Sequence, residues 1–527
     1  MTMYVCYDIR GIQSFIFRIP KLKYIIGGSA IVDRFDRDFA RNLDVPGVQC
    51  LFAGGGRGTF EVSDASKVSL LRDLVCQEAH RFGLDIRFGC SIDYSEASRA
   101  ATDLYPFLPS ESELDGQPCD MSGCYPVSPA AMVSGKASSI HPTVMRRIFD
   151  RGDKMSRRFE DRLFVGLDLG PELKLDNIAF LSNVDESDED GYAGAVALGG
   201  QNRWAVIAMD GNDIGSQFLS KRSAGDLKDW VGPMSEALDA CSFKAAQAGI
   251  ETVVRTWFAD TRDQNHTSAA HGRQHVIPVR PLVVGGDDLV VLCHARYAFD
   301  FVEAATRAFE RESAVWAQSY ARKHQGKELW PATGGRISIS AGVLFASTKL
   351  PLHLALPYAE LLLASAKWRG RMDPIAGAPS PASIDWEHAT ESLLDTPSDR
   401  RNRELRFADE DLCGQEVTLT CRPYTMAGFR ELRDWIEGED GLSELPKSLI
   451  HSLHDGLRAA FWDRQVFSAR LGKNSALLQI ALSEGEKAIP SGSRWSLSNA
   501  GRRTDILDAA LIWEESGRMD REKGHGF

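Results

Sequence analysis

Residues 283–292 read VVGGDDLVVL. Two glycines and two adjacent aspartates interrupt what would otherwise be one apolar, β-branched strand. A tight hairpin resolves the conflict, because a turn between paired strands needs positive φ and glycine supplies it. The hairpin constrains its surroundings. RWAVIAMD (203–210) is a short apolar strand ending in an aspartate. Residues 226–249 follow a helical period, with Leu227, Trp230, Met234, Leu238 and Cys241 on one face. VIPVRPLVV (276–284) and LVVLCH (289–294) are the paired strands, 297–322 is a second amphipathic helix, and RISISAGVLFAS (336–347) is a fourth strand. The order β-α-β-β-α-β is that of the ferredoxin-like split unit.

The N-terminal part repeats that order. MYVCYD (3–8) ends in an aspartate, and 21–43 can be a helix. VQCLFA (48–53) and TFEV (59–62) flank GGGRG, 65–82 is helical, and LDIRFGCSIDY (84–94) is the last strand. AGGGRGTFEV thus stands where VGGDDLVVL stands in the second copy. The first copy keeps the glycines and loses the paired acids.

A chain of 527 residues is too long for one core, so about three or four domains are expected. The fold class is α+β: two ferredoxin-like units, 1–98 and 201–382, an irregular or helical insertion, 99–200, and a polar connection leading into an all-α C-terminal domain, 383–527. Helices are expected there at 427–437, 446–463, 474–486 and 503–516. The net charge of −12 argues against a surface that binds nucleic acid as a whole. No basic region precedes an apolar run at the N-terminus, and the longest apolar stretch is broken by Pro357 and Glu360, so neither a signal peptide nor a membrane span is expected. Ten cysteines without framework spacing suit reduced thiols and a cytoplasmic location.

Adjacent carboxylates repel each other, and at the edge of an apolar sheet that repulsion needs a counter-charge. A divalent cation supplies one, and hard oxygen donors suit Mg²⁺ or Mn²⁺. In this fold the first and third strands are neighbours, so Asp210 can converge on Asp287 and Asp288. Two ions about 4 Å apart would then clamp the attacking and leaving oxygens of an in-line phosphoryl displacement. Gly285 and Gly286 let a nucleotide approach the backbone, and Gly211 lets the main chain turn beside the metal. Asp213 reads as a further ligand or a helix N-cap, with the cap or a supporting role favoured.

Several stretches together resemble the large palm-domain subunit of type III CRISPR effector complexes, the polymerase-like oligonucleotide cyclase. DIRGIQSFIF (8–17) with KLKYIIGGSAIVDRF (21–35) is similar to that family's first-palm opening, and AGGG (53–56) to its degenerate first-palm turn. AMDGNDIG (208–215), VGGDDLVVL (284–292) and SAGVLFASTKLPLHLALPYAELLLASAK (340–367) are similar to its active second palm. The resemblance implies synthesis of a signalling nucleotide, cyclic oligoadenylate, from ATP. It implies catalytic and metal-binding roles for Asp210, Asp287 and Asp288, and nucleotide contacts for Gly211, Gly285, Gly286, Gly54 and Gly55. Lys367 stands where relatives place a phosphate-contacting lysine. Sibling effector subunits and guide or target RNA are the implied partners, with room for self-association. A non-catalytic scaffold and a GTP-using dinucleotide cyclase are the competing readings.

The chain also departs from that pattern. It begins at the first palm, and its His454-Asp455 pair lies in a C-terminal helix, so no HD-type nuclease is expected. QPCDMSGCYP carries Cys119 and Cys124 without a second pair, and His141 is the nearest further donor. Zinc is therefore not expected, since structural sites use four ligands. TRDQNHTSAAHGRQH (261–275), with His266 and His271, reads as a loop beside the ATP pocket.

Overall fold

The computed structural model of the protein describes residues 2–19, 22–103, 203–220, 224–261, 274–347, 350–372, 378–389, 395–409, 415–438, 495–498 and 501–515. It also describes residues 163, 165 and 167 and short strands at 117–118, 126–127, 131–133, 136–138, 178–180 and 267–268. The C-terminal helices expected at 446–463 and 474–486, and the residues Cys119, Cys124, His141, His266, His271, His454 and Asp455, lie outside the described residues.

Both repeats fold as the sequence order demands. In the first unit β1 (Met3–Ile9) sits between β3 (Arg57–Val62) and β4 (Ile86–Ser91), and β2 (Val48–Gly54) forms the edge beyond β3. In the second, β5 (Arg203–Gly211) sits between β7 (Asp288–His294) and β8 (Ile339–Ser347), and β6 (Val279–Gly285) is the edge. Pro281 falls where the β6–β7 register shifts, which an edge strand tolerates.

Helix α1 (Leu22–Arg34), continued by one π-helical segment (Phe35–Ala40), and α2 (Lys67–Phe82) cover one face of the first sheet, and α3 (Tyr94–Asp103) covers the other. The second sheet repeats this with α4 (Ala224–Thr261) and α5 (Ala298–Lys323) on one face and α6 (Leu352–Arg371) on the other. The units also lean on each other reciprocally. Helix α1 touches β6, and α4 touches β2. This explains why RWAVIAMD shows no alternation. Ala205, Ile207 and Met209 enter the core beneath α4, while Val206 and Ala208 enter the core shared with the first unit. A strand buried on both faces reads as continuously apolar.

Three segments differ from expectation. The stretch VIPVRPLVV is two strands: Gln274–Ile277 pairs with Ile178–Phe180 and Thr267–Ser268 in a separate sheet, and only Val279–Gly285 belongs to the unit. The insertion contains short antiparallel pairs, Gln117–Pro118 with Pro126–Val127 and Ala131–Val133 with Lys136–Ser138. Finally, the polar connection from 383 to about 425 holds strands, and the domain beyond it is not all-α, since Trp495–Ser498 pairs with Gly501–Thr504. Ser383–His388 extends the second sheet in parallel with β8, and four short strands form a further sheet beside the helices Met426–Glu437 and Ile506–Glu515.

The polar look of that region has a physical cause. Asp385 and Glu387 are buried and meet Arg401 at 2.8 and 3.2 Å. Arg422, also buried, meets Glu387 at 3.3 Å and Asp508 at 2.9 Å. Charges that belong to a core pair look like surface when read one at a time.

Candidate functional site

The three sequence-predicted acids converge at one end of the second sheet. Asp210 ends β5 and lies directly opposite Asp288, the first residue of β7. Asp287 is the second turn residue of the β6–β7 hairpin, and its carbonyl accepts from the Gly211 N–H at 3.2 Å. Gly286 has φ of 60°, whereas Asp287 is not among the positive-φ residues. A hairpin with glycine only at its first central position leaves the second open to a side chain. The turn of the first unit has positive φ at both Gly55 and Gly56. The acid is therefore admitted by the turn type of the second unit and disfavoured by that of the first.

Burial and like charge raise both turn acids. Asp287 is pushed well above the usual carboxylate range by burial, then by Asp210 and Asp288, and it shares a hydrogen bond with the Asp210 carboxyl. Asp288 is raised to about 7 by burial and by Asp210, against the lowering effect of Lys367. Lys367, on α6, donates to Asp210 Oδ2 and, at 2.9 Å, to the Gly211 carbonyl. Its ammonium is thus the counter-charge that Asp210 already has. Among the described residues no group of three potential ligands is gathered closely enough to form a ready-made metal cage. The donor chemistry nonetheless fits a hard divalent ion: three oxygen-bearing acids, two of them raised above the usual carboxylate range by burial and by their like-charged neighbours.

Gly285 borders open space. A Cβ built there meets nothing within 4 Å, so the fold does not require glycine at this position. At Gly211 a Cβ would lie 3.0 Å from the Asp287 Cβ, so glycine there permits the close approach of β5 to the turn. Of the roles expected for Asp213, its side chain takes the supporting one. It adopts φ of 61°, and its carboxylate accepts from the Ser380 N–H at 2.8 Å and the Ser380 hydroxyl at 3.0 Å. It is a support that ties the segment after β5 to the chain beyond α6. Its neighbour Asn212, buried, donates to Ser338 and Ser340 hydroxyls at 2.7 and 2.9 Å.

The first unit answers the second turn for turn. Gly54 lies opposite Arg57 as Gly285 lies opposite Asp288, and Asp8 lies opposite Arg57 as Asp210 lies opposite Asp288. One of its acids therefore persists, Asp8, but Arg57 stands where the second unit has Asp288, and the two pair at 2.7 Å. The two turns face each other: a Cβ at Gly55 would lie 3.9 Å from the Gly286 Cα. The cleft between them is bordered by Gly54, Gly55, Asp36, Gly285 and Asp288 and encloses about 60 Å³. Ligand pockets usually run to ~300–1,000 Å³, so a nucleotide here would lie mostly in the open part of the cleft. A larger cavity of about 300 Å³ lies away from the acids, and its charged walls are already paired, Arg296 with Asp260 and Arg433 with Asp300.

Sequence reasoning missed four further contributors: Asp36, Asp239, Arg37 and Arg41. Asp36 is buried, accepts from the Gly56 N–H at 2.7 Å and from the Tyr7 hydroxyl at 2.9 Å, and is raised by burial to about 7. Asp239 accepts from the Gly286 N–H at 3.0 Å. Each turn is therefore held by an aspartate on the first helix of its own unit. A carboxylate in a helical stretch carries no local sign that its partner is a distant turn.

Comparison with known proteins agrees with this architecture. Residues 203–376 match the family model described as Cas10/Cmr2, second palm domain. No curated protein matches the chain. Among solved structures, the fold is similar to a Csm1–Csm4 cassette crystallised with cA3, at 13% identity and a TM-score of 0.50, over 98% of this chain and 69% of that one. It is also similar to Csm1 of T. onnurineus, at 13% identity and a TM-score of 0.48, again over 98% and 69%. The acid-bearing unit described above coincides with the matched segment: the chain carries, at residues 203–376, a second palm domain of the Cas10/Cmr2 family.

Proposed function

We propose that the protein is a metal-dependent nucleotidyltransferase that joins ATP into a signalling, cyclic oligoadenylate-type nucleotide in CRISPR-type defence. The observation that carries this reading is the convergence of Asp210, Asp287 and Asp288 at the tip of the second palm, facing the glycine turn of the first. The solved relative of similar fold was crystallised with cA3, the product class proposed here. Asp210, Asp287 and Asp288 are the residues that would hold two Mg²⁺ or Mn²⁺ ions, which supply an activated attacking hydroxyl and neutralise charge on the transferred phosphoryl group.

The remaining work falls to the chain itself. Lys367 keeps a fixed positive charge beside Asp210 and, through the Gly211 carbonyl, holds the end of β5 in place. Gly285 leaves the space through which a nucleotide reaches the backbone. Gly54 and Gly55 line the opposite wall, where the acceptor nucleotide would lie. Sibling effector subunits and guide or target RNA belong to this reading as partners.

The test is to incubate the purified protein with each nucleoside triphosphate separately, with Mg²⁺ or Mn²⁺, and to identify products by mass spectrometry. Oligoadenylate formed from ATP supports the proposal. Preference for GTP would replace it with a dinucleotide cyclase. Co-purification with RNA and sibling subunits, with no turnover in that complex, would replace it with a scaffold.

A further inference from the structure

The two palms are joined at their turns by one carboxylate. Asp239, buried on α4, accepts from the Gly286 N–H through Oδ1 at 3.0 Å. Its Oδ2 accepts from Arg37 at 3.0 Å and from Arg41 at 3.1 Å, both from the helical segment of the first palm. Arg41 also donates to the Ala53 carbonyl at 2.6 Å, at the entrance of the first turn. One helical turn beyond Asp239, Ser242 donates to the Gly286 carbonyl at 2.7 Å, so both sides of that glycine are held from α4. Arg37 is steadied in turn by Asp33 at 2.7 Å and by the Phe243 ring, 5.5 Å from its guanidinium carbon.

We infer that Asp239 is a positioning residue that sets the register between the two turns, with Arg37 and Arg41 as its first-palm partners. This rests on the catalytic reading above for what is positioned, but the joint itself does not depend on it. Three features favour a dedicated joint over incidental surface pairing. The carboxylate is buried and charge-assisted on every bond, which makes such contacts stronger and more directional than exposed pairs. It touches backbone rather than side chain in the second palm, so it fixes the turn that carries Asp287 and Asp288. It also spans the place where Gly55 and Gly286 of the two turns approach each other. Reactions between two bound nucleotides depend on such register, since a displacement of about 1 Å can lower the rate ~100-fold.

The experiment uses the full chain and three variants: Asp239→Ala, Asp239→Asn, and Arg37→Gln combined with Arg41→Gln. Hydrogen–deuterium exchange is followed on peptides covering 53–57 and 283–289. The arginine changes lie only in the first palm, yet they are expected to raise exchange at Gly286 in the second. Asp239→Ala is expected to raise it in both peptides. Asp239→Asn, which keeps an acceptor for the Gly286 N–H, is expected to raise it less in 283–289. ATP turnover is measured alongside, where Asp239→Ala should lower kcat by roughly 10- to 100-fold with KM changed far less. Unchanged exchange across both turns in the arginine variant overturns the joint, whatever the turnover. Altered exchange with wild-type kcat in Asp239→Ala overturns its positioning role. Altered exchange in a protein that never turns over any nucleotide leaves the joint standing and removes the catalytic reading instead.

Discussion

At the scale of single residues, the acids govern how the protein responds to pH. Asp288 is raised to about 7, and Asp287 is raised well above the usual carboxylate range, both first by burial. A carboxylate raised in the folded state keeps its proton where the unfolded chain has lost it. The folded state then binds more protons, and stability falls as pH climbs from about 4 to about 7. Thermal melting of metal-free protein across that range is expected to show the decline. Asp288→Asn should flatten part of it and raise the melting temperature near neutrality, by an amount worth about 1–2 kcal/mol. Protons and metal compete for the same oxygens, so the affinity for Mg²⁺ should strengthen as pH rises towards 7. Asp287→Ala with Asp288→Ala is expected to abolish nucleotide synthesis while the protein remains folded, as judged by circular dichroism. Retained synthesis would place the metal site elsewhere.

At the scale of the element, the β6–β7 hairpin separates two uses of glycine. Gly286 needs its positive φ of 60°, and Gly286→Ala should lower stability by about 1–2 kcal/mol. Gly285 has no such need, because a Cβ there meets nothing within 4 Å. Gly285→Leu is therefore expected to leave the melting temperature nearly unchanged while raising KM for ATP, since the side chain would fill the space left for the ligand. A similar loss of stability in both variants would refute this division of labour. Much of this element was legible in the sequence. The GGDD order dictated a turn, and the duplication placed Asp210 beside it. What could not be read was Asp239, whose role depends on a helix of one unit meeting the turn, and on arginines two hundred positions away. Asp8 was legible as the aspartate that ends the first strand, but its pairing with Arg57 was not, because it exists only once β1 and β3 are in register.

At the scale of the whole molecule, one core draws side chains from both units, Val5 and Phe60 from the first and Val206 and Leu344 from the second, and buried charge closes the far side of the second unit. Arg422 is 4% exposed and joins Glu387 and Asp508, which are 7% and 0% exposed. Removing Arg422 takes the 2.9 Å ion pair from buried Asp508 and leaves Glu387 to Arg401. Arg422→Ala should therefore destabilise the protein by about 3–5 kcal/mol, seen as a lower denaturation midpoint in urea, whereas exposed Arg403→Ala should change it little. The same cluster explains why the chain from 383 to about 425 was expected to be a polar connection without strands. Strands of four residues are too short to display alternation, and acids and arginines bound for one core read as a polar linker.

Arg57 gives that whole a polarity. Two units of one design face each other turn to turn, each resting a helix on the edge strand of the other. With Arg57 neutralising Asp8 on one side and acids gathered on the other, the halves are alike in topology and different in electrical character. Gly56 and Arg57 stand where the second unit has Asp287 and Asp288, so one design carries two facing turns of different chemistry.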